Sequence, residues 1–341
     1  MTQYGNNMGS FSILQPRELS RCFYDLCMCK GPIEVPDRAR MDVHLEKTSR
    51  TFALPTALLG EPLREEITVS YLLLRIADCF EDATRWSAER KITVLNHLAE
   101  ALLRDDEALV VSITAICREC PPLDNRAYLD LIQDLGHLLH SLRRFDPFIK
   151  ASIVYHVSRM IQGMAYFVTA QADAAGPALK NAQSLRSYCY CVAGIVGELY
   201  TDLAMQHYRP LTRHIFELQT LALHVGEALQ LTNILKDEKI DQEEGRRYIP
   251  LDISLIALAN RIREGYESAR RYIDLFLDVD TPVSYMAFVA FPILIAMENL
   301  RAIESGNPGR KVDRTIVYAV MNEVQAKLSV HLNPLEPIQN V

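Results

Sequence analysis

The chain has 341 residues, and its 36 basic and 43 acidic side chains give a formal net charge of −7. Hydrophobic residues make up 49% and charged residues 23%, a balance that excludes an intrinsically disordered chain. The acidic balance, without any basic run, argues against nucleic acid as a partner, because phosphate backbones require a cationic surface. Glycine is scarce, at 14 residues, and turn signals are too widely spaced for an all-β fold. These features predict an all-α protein.

The sequence shows no secretory signal and no transmembrane segment. The N-terminus lacks a basic region followed by an apolar one. The longest apolar run, 285–297, is shorter than the roughly 20 residues that a bilayer requires, and Pro292 interrupts it. Eight cysteines without a secretory signal favour reduced thiols, and the CREC motif at Cys117 and Cys120 has no second pair for a zinc site. The expected location is the cytoplasm.

Apolar residues recur at helical spacing along most of the chain, after a tail and one short helix in residues 1–35. Proline and glycine mark the breaks, and no break is long or polar enough to be an interdomain linker. The prediction is one large all-α domain over residues 36–333 and a C-terminal tail over 334–341. Its helices are predicted at about 38–53, 61–84, 87–104, 125–145, 148–172, 178–206, 211–241, 253–277, 281–304 and 311–331.

Several of these helices are apolar on nearly every side, for example over 71–77 and 192–205. Such helices belong in the interior of a large bundle, since a surface helix shows only one apolar stripe. Acidic residues on buried helices then require an explanation, because burying an uncompensated carboxylate is costly.

The first acidic cluster lies in the segment YLLLRIADCFED, which begins at Tyr71. Asp78, Glu81 and Asp82 stand at i, i+3 and i+4, so a helix places their carboxylates on one face. Arg75 and Tyr71 lie further back along that face. Like charges at this spacing repel one another, which favours a bound cation between them. The alternative is a solvated acidic helix end with an internal salt bridge, and the surrounding leucines argue against it.

The second cluster lies in LQLTNILKDEKIDQEEGRRYIP, which ends at Pro250. Asn233, Asp237 and Asp241 step at i, i+4 and i+8, and Gln230 lies one turn earlier on the same face. The carboxylates again emerge from an apolar stretch.

Two helices that project carboxylates into one cavity form a site for a hard cation. Oxygen ligands without His or Cys favour Mg²⁺ over zinc. Because Mg²⁺ is commonly shared between carboxylates and substrate phosphates, a phosphorylated substrate is expected. Apolar and aromatic walls around such a site suit a hydrocarbon and a carbocation. The residues therefore predict a metal-dependent enzyme that ionises an isoprenoid diphosphate.

These residues resemble the squalene and phytoene synthases, the head-to-head isoprenoid synthases, and are most similar to the bacterial dehydrosqualene and phytoene branch. Four blocks, in the family's order and spanning about 200 residues, carry the resemblance: SRTF at 49–52, YLLLRIADCFED at 71–82, YCYCVAGIVGE at 188–198, and 230–250. The family fold is a single all-α isoprenoid synthase domain around a central cavity.

The resemblance also implies roles for individual residues. Two or three Mg²⁺ ions would be held by Asp78, Glu81, Asp82, Asp237 and Asp241. The substrate diphosphates would be bound by Ser49, Arg50, Arg75, Gln230 and Lys236. Catalytic roles would fall to Tyr71, Arg75, Tyr190 and Asn233. The hydrocarbon pocket would be lined by Phe52, Tyr190, Val192 and Gly194.

The implied reaction joins two prenyl diphosphates, farnesyl or geranylgeranyl, through a cyclopropylcarbinyl diphosphate. A second ionisation and rearrangement would give a 1,1′-linked chain. Loss of a proton would end in dehydrosqualene or phytoene, whereas NADPH would be needed only for squalene.

The sequence departs from the family pattern at three positions. Ile240 replaces the glutamate of the usual DxxED motif, so that metal face carries one carboxylate fewer. Lys236 stands where arginine is common, which exchanges a bidentate fork for a point charge. Cys191 precedes the Val-Ala-Gly triplet, where the squalene branch has tyrosine.

Two other functions stay open at this stage. A terpene cyclase that ionises one prenyl diphosphate would use the same acidic faces, and a non-catalytic relative would act as an interaction factor. Peripheral membrane contact would help to release a hydrocarbon product. Arg310, Lys311 and Arg314 are interpreted as a solvated first turn of the last helix, with binding of anionic lipid as the alternative.

Overall fold

A computed structural model of the chain describes residues 37–172, 179–243, 247–306 and 312–336. The regular secondary structure of these residues is entirely helical, which confirms the predicted fold class. The α-helices are α1 (Asp37–Thr48), α2 (Arg50–Thr56), α3 (Leu63–Glu81), α4 (Ala88–Arg104), α5 (Glu107–Glu119), α6 (Arg126–Gln133), α7 (Leu135–Arg144), α8 (Pro147–Ala172), α9 (Ala182–Cys189), α10 (Ile195–His207), α11 (Ile215–Glu243), α12 (Leu255–Leu277), α13 (Val283–Glu304) and α14 (Arg314–Ser329).

Some sequence features fall outside the described residues. They include the predicted short helix within residues 1–35, Arg310 and Lys311, and the side chain of Arg314. At the other end, the described chain continues past residue 333, and Leu335 packs against the core.

Two long helices organise the interior. Helix α8 packs against α3, α4 and α10, while α11 packs against α10, α12 and α13. The apolar residues of α3 explain its central place, since Ile67, Leu72 and Ile76 are each completely buried. A helix that is apolar on most sides gains the most free energy when neighbours surround it. The first acidic cluster is therefore carried on a rigid, buried element.

Three predicted helices are divided in the structure. Ser49 adopts an extended conformation, with φ −155° and ψ 80°, and separates α1 from α2. Asp134 separates α6 from α7, and its carboxylate accepts hydrogen bonds from Arg40 and His44 of α1, both at 2.6 Å. Between α9 and α10 the chain forms a π-helical turn, Tyr190–Gly194. Local hydrophobic periodicity does not reveal these interruptions. The break at Asp134 depends on tertiary contacts with α1, and the break at the π turn depends on one inserted residue.

Helix α5 was not predicted from the sequence, although its local features are ordinary. The Asp106 side chain accepts hydrogen bonds from the first backbone amides, at 2.8 Å from Ala108. Val110, Ile113 and Cys117 are buried at i, i+3 and i+7. Although the helix was missed, its N-cap and its apolar spacing could have predicted it from the sequence.

Helix α13 is the one described helix that is long and apolar enough to cross a membrane by length and composition. More than half of its most apolar window, 56%, is buried inside the protein. Tyr285 and Phe291 are completely buried, and Pro292 lies within the helix. Such burial is typical of a helix in the core of a protein.

Small residues allow α11 to approach the π turn and α10 closely. A Cβ atom added to Gly226 would lie 2.6 Å from the carbonyl oxygen of Ala193 and 2.9 Å from Cα of Gly194. A Cβ atom added to Gly197 would lie 2.7 Å from the carbonyl oxygen of Ala222. Both distances are shorter than any van der Waals contact, so the backbones meet only because these positions are glycine. Gly226 therefore allows α11 to lie against the π turn, and Gly197 allows it to lie against α10.

Candidate active site

Helix α3 places Tyr71, Arg75 and Asp78 in a hydrogen-bonded row. Nη2 of Arg75 donates to the Tyr71 hydroxyl at 2.6 Å, and Nη1 lies 3.2 Å from Oδ2 of Asp78. Nε of Arg75 is buried and makes no hydrogen bond among the described residues. A buried, unpartnered N–H group is costly in a finished structure and is common where a ligand supplies the acceptor. The row therefore fixes the guanidinium of Arg75 and leaves its Nε–H available to donate to an anion.

An aromatic wall adjoins this row. The Phe52 ring stacks on Tyr71, with centroids 4.1 Å apart and planes at 17°. Phe288 meets Phe52 edge to face at 5.5 Å, and Tyr200 lies 6.1 Å from Phe52. The faces of such rings attract cations and provide apolar contact area. Tyr200 and Phe288 were not predicted as site residues, because their helices join α3 only through the tertiary fold.

The carboxylates at the end of α3 differ in exposure, since Asp78 and Glu81 are partly buried and Asp82 is exposed. Burial raises the pKa of Asp78 to about 6, the Arg75 cation partly offsets this rise, and the charge of Asp82 adds to it. The Lys91 ammonium donates to the main-chain oxygen of Glu81 at 2.6 Å, at the end of the helix. Neighbouring carboxylates that are poorly solvated favour a bound cation that compensates their charge.

The second acidic cluster lies on the last turns of α11. Nζ of Lys236 lies 3.2 Å from Oδ2 of Asp237 and 3.5 Å from Oδ1 of Asn233. The Asp237 side chain is 44% exposed, whereas Asp241 is buried. Asp241 lines a small cleft of about 210 Å³ of empty space together with Ile234, Glu238, Gln242, Arg247, Tyr248 and Ile249. Ile240, the residue that departs from the family motif, is 55% exposed.

Two stacked tyrosines lie beside the second acidic cluster. The rings of Tyr188 and Tyr248 stack with centroids 5.2 Å apart. Burial raises the pKa of Tyr188 well above its usual value, and the nearby carboxylates of Glu81 and Asp82 raise it further. Tyr248 in turn lines the cleft that contains Asp241. Both tyrosines lie in the resembling blocks, yet the motif pattern assigned a role to neither, and only the fold shows their position.

The remaining residues of the predicted pocket lie on the π turn. The Tyr190 hydroxyl is hydrogen-bonded to Arg159 of α8 and to Oε1 of Glu198, the latter at 3.3 Å. Val192 is partly buried and packs against the hydrophobic core. Gly194 is buried, and a Cβ atom there would lie 2.9 Å from the Tyr190 ring.

The predicted diphosphate-binding residues are spread over two elements besides α3. Ser49 is the N-cap of α2, and within the described residues its hydroxyl caps no backbone amide of that helix. The side chain of Arg50 lies outside the described part of the structure. Gln230 is partly buried on α11, two turns before Asp237.

The donor set fits a divalent cation of the Mg²⁺ type. The candidate ligands on α3 and α11 are all carboxylate oxygens, the ligand type that Mg²⁺ prefers, and burial disfavours the negative charge of Asp78. Among the described residues, no three side chains of His, Cys, Asp or Glu are gathered into a ready-made metal cluster.

The chain is similar to known proteins over most of its length. The sequence model described as squalene/phytoene synthase matches residues 45–257, which is more than half of the chain. The chain belongs to the squalene/phytoene synthase family. All four resembling blocks, from Ser49 to Pro250, fall within the matched region.

The curated relatives of this family member include eukaryotic squalene synthases. The squalene synthase of Saccharomyces cerevisiae is 29% identical over 210 residues, which are 61% of this chain and 44% of that protein. The Mycosarcoma maydis squalene synthase is 32% identical over 60% of this chain and 34% of its own length, and the human one is 27% identical over 62% and 46%. The chain thus matches less than half the length of these relatives.

Solved structures of the family share the fold over most of both chains. The complex of TcSQS with the ligand BPH1237 aligns with a TM-score of 0.68 at 21% identity, covering 89% of this chain and 94% of the other. A dehydrosqualene synthase in complex with a ligand aligns with a TM-score of 0.56 at 19% identity, covering 86% and 97%. The squalene/phytoene synthase fold therefore extends well beyond the matched sequence region.

Proposed function

We propose that this chain is a Mg²⁺-dependent prenyltransferase that condenses two prenyl diphosphates head to head. The observation that carries the proposal is the row on α3, in which Arg75 stands between the aromatic wall at Tyr71 and the carboxylates beginning at Asp78. A prenyl diphosphate has a matching order of groups, with a hydrocarbon at one end and a metal-binding anion at the other. The curated relatives, which are squalene synthases, support the same reaction class.

The cationic groups of the chain bind and orient the diphosphates. The guanidinium of Arg75 is fixed by Tyr71 and Asp78, and its free Nε–H is a donor for a phosphate oxygen. Lys236 supplies a second positive charge on α11, with Ser49, Arg50 and Gln230 as further polar contacts. Mg²⁺, when bound, neutralises the charge that develops on the departing diphosphate. Its ligands would be Asp78, Glu81, Asp82, Asp237 and Asp241.

The aromatic wall handles the hydrocarbon. When the first diphosphate leaves, the faces of Phe52 and Tyr71 stabilise the allylic cation and exclude water. The double bond of the second substrate attacks this cation, and proton loss closes a cyclopropylcarbinyl diphosphate. A second ionisation and rearrangement give a squalene-, dehydrosqualene- or phytoene-like chain, with Tyr190 and Asn233 as further candidate catalytic residues. NADPH is required only for squalene.

The product of purified protein tests this proposal. With farnesyl or geranylgeranyl diphosphate and Mg²⁺, with and without NADPH, mass spectrometry should detect a linear C30 or C40 hydrocarbon. Asp237→Asn should lose this product and keep its helical circular dichroism spectrum, because the metal face loses a charged ligand. A cyclic C15 or C20 product would instead identify a terpene cyclase. A folded protein without any product would favour the interaction factor.

The exposed side chain at Ile240 leads to a separate prediction. Restoring the family glutamate with Ile240→Glu should change kcat and the Mg²⁺ concentration for half-maximal activity by less than about threefold, because the side chain is directed largely into solvent. Ile240→Ala is the matched control for loss of the aliphatic group. A tenfold lower Mg²⁺ requirement in the glutamate variant would place position 240 on the metal face.

A hydrocarbon product has no polar group, so its release would be aided by a bilayer. We therefore propose a cytoplasmic protein with peripheral membrane contact. Sedimentation with vesicles of anionic lipid should increase when prenyl diphosphate is turned over, and unchanged sedimentation would count against this contact.

A further inference from the structure

A second polar network lies outside the two acidic clusters, around the first residue of the π turn. Nη2 of Arg159 donates to the Tyr190 hydroxyl, and Nη1 donates to Oε2 of Glu198 at 2.8 Å. The Tyr190 hydroxyl donates to the other oxygen of Glu198 at 3.3 Å. The three side chains form a closed ring of hydrogen bonds that joins α8, the π turn and α10.

A second layer supports this ring. Nε2 of His156 lies 2.8 Å from Oδ2 of Asp202, and Oδ1 of Asp202 accepts a hydrogen bond from Gln219 at 2.5 Å. The other nitrogen of His156 lies 3.3 Å from Nη1 of Arg159. Buried networks in which the partners hold one another fix side chains in a single geometry. The ring is thus anchored on α8, α10 and α11 together.

The segment around the π turn also reaches the second acidic cluster, because the ring of Tyr188, two residues before Tyr190, stacks on Tyr248, which lines the cleft of Asp241. Tyr188 lies just before the π turn and Cys191 within it, one helical turn apart, and the Glu81 carboxylate raises the pKa of both side chains after burial. Gly163 of α8 makes room for Cys191, since a Cβ atom there would lie 2.8 Å from its sulfur. Tyr188 is thus stacked on Tyr248, while Tyr190 is held by the ring.

We propose that Arg159 and Glu198 are positioning residues for the reaction: by holding Tyr190 they fix the π turn so that Tyr188 stays stacked on Tyr248 beside Asp241. This inference rests on the proposed condensation. A π-helical turn contains one residue more than an α-helical turn, and such turns persist where surrounding contacts compensate for them. The hydrogen-bonded ring provides this compensation at the start of the turn, and the glycine contacts with α11 provide it at the end.

Steady-state kinetics of ring variants test the positioning role. Arg159→Met should lower kcat about a hundredfold and leave KM for the prenyl diphosphate within about threefold, because the residue acts through the π turn. Arg159→Lys should recover part of the lost kcat, since the lysine ammonium keeps the positive charge but not the paired donors of the guanidinium. Tyr190→Phe, which removes only the hydroxyl, should lower kcat about tenfold. Arg143→Met is the matched control, because Arg143 bridges Asp105 and Glu107 at 2.7 and 2.6 Å on another part of the surface.

Hydrogen–deuterium exchange supplies a readout that is independent of turnover. Amides of residues 188–197 should exchange at least about tenfold faster in Arg159→Met than in the parent protein, and at an unchanged rate in Arg143→Met. If the parent protein forms condensed product and Arg159→Met keeps its kcat, the positioning role is overturned and the proposed function stands. If the parent protein forms no such product, the proposed function itself is overturned. Equal losses of kcat in both methionine variants would also overturn the positioning role.

Discussion

Asp78→Asn is expected to reduce kcat by about 10³-fold or more while leaving the chain at least as stable as before. The carboxylate of Asp78 is partly buried, pairs with Arg75 at 3.2 Å and lies near Asp82. Asparagine keeps the shape and one acceptor oxygen but loses the charge that a divalent cation requires. Product formation from prenyl diphosphate and Mg²⁺ measures the first effect, and thermal unfolding measures the second.

The stability effect of this substitution has a defined pH dependence. Burial raises the pKa of Asp78 from 3.8 to about 6 in the folded chain, so the ionised carboxylate destabilises the fold above pH 6. Without divalent cations, Asp78→Asn should therefore raise the free energy of unfolding by about 1–2 kcal/mol at pH 8. The gain should vanish below about pH 4, where the carboxyl is protonated in both states.

A matched control separates the site from a general charge effect. Asp124 also pairs with an arginine, Arg85, at 2.6 Å, but its side chain is 76% exposed. Asp124→Asn should change neither kcat nor stability appreciably, since exposed ion pairs contribute little. An active Asp78→Asn enzyme would remove Asp78 from the metal-binding set.

Gly226→Ala is expected to destabilise the chain by about 3 kcal/mol, which lowers Tm by about 4–5 °C. The added methyl group would lie 2.6 Å from the Ala193 carbonyl oxygen and 2.9 Å from Cα of Gly194. Because the obstacle is backbone, no side-chain rotation relieves it, and α11 must move away from the π turn. Thermal and urea unfolding measure the loss.

The same substitution at Gly136 is the control for this prediction. The nearest atom to a Cβ at Gly136 is Cγ1 of Val110 at 3.9 Å, an ordinary contact. Gly136 lies in α7, where alanine is the better helix former, so Gly136→Ala should stabilise the chain by about 0.5–1 kcal/mol. Equal stability of Gly226→Ala and the parent protein would contradict the close approach of α11 and the π turn.

The sequence predicted those parts of the site that lie within one helix. Tyr71, Arg75 and Asp78 share a face of α3 because helical periodicity alone places them there. The all-α class was also predictable, because apolar spacing and scarce glycine are local properties. In contrast, the aromatic wall joins Phe52 to Tyr200 and Phe288, three residues on separate helices that no periodicity relates.

The contact between Tyr188 and Tyr248 could not be predicted from the sequence for a similar reason. Tyr188 and Tyr248 are far apart in the sequence, and their rings stack only in the fold. Nothing in the sequence distinguishes these two residues from the other tyrosines of the core. The π turn was hidden as well, since one inserted residue leaves the apolar pattern of 178–206 almost unchanged. The fold separates Tyr188, which meets Tyr248 beside the acidic cluster, from Tyr190, which is held by Arg159 and Glu198.

Helix α13 has a consequence for how the chain folds during synthesis. Phe288 of this helix closes the aromatic wall at Phe52, and the Tyr285 hydroxyl donates to the carbonyl of Tyr200 at 2.9 Å. The earlier helices therefore leave the ribosome with the centre of their core unfilled, and their apolar faces stay open until α13 emerges. During that interval the nascent chain is expected to bind chaperones that recognise exposed hydrophobic segments, and deletion of residues 283–341, about the last sixth of the chain, is expected to leave it in that state.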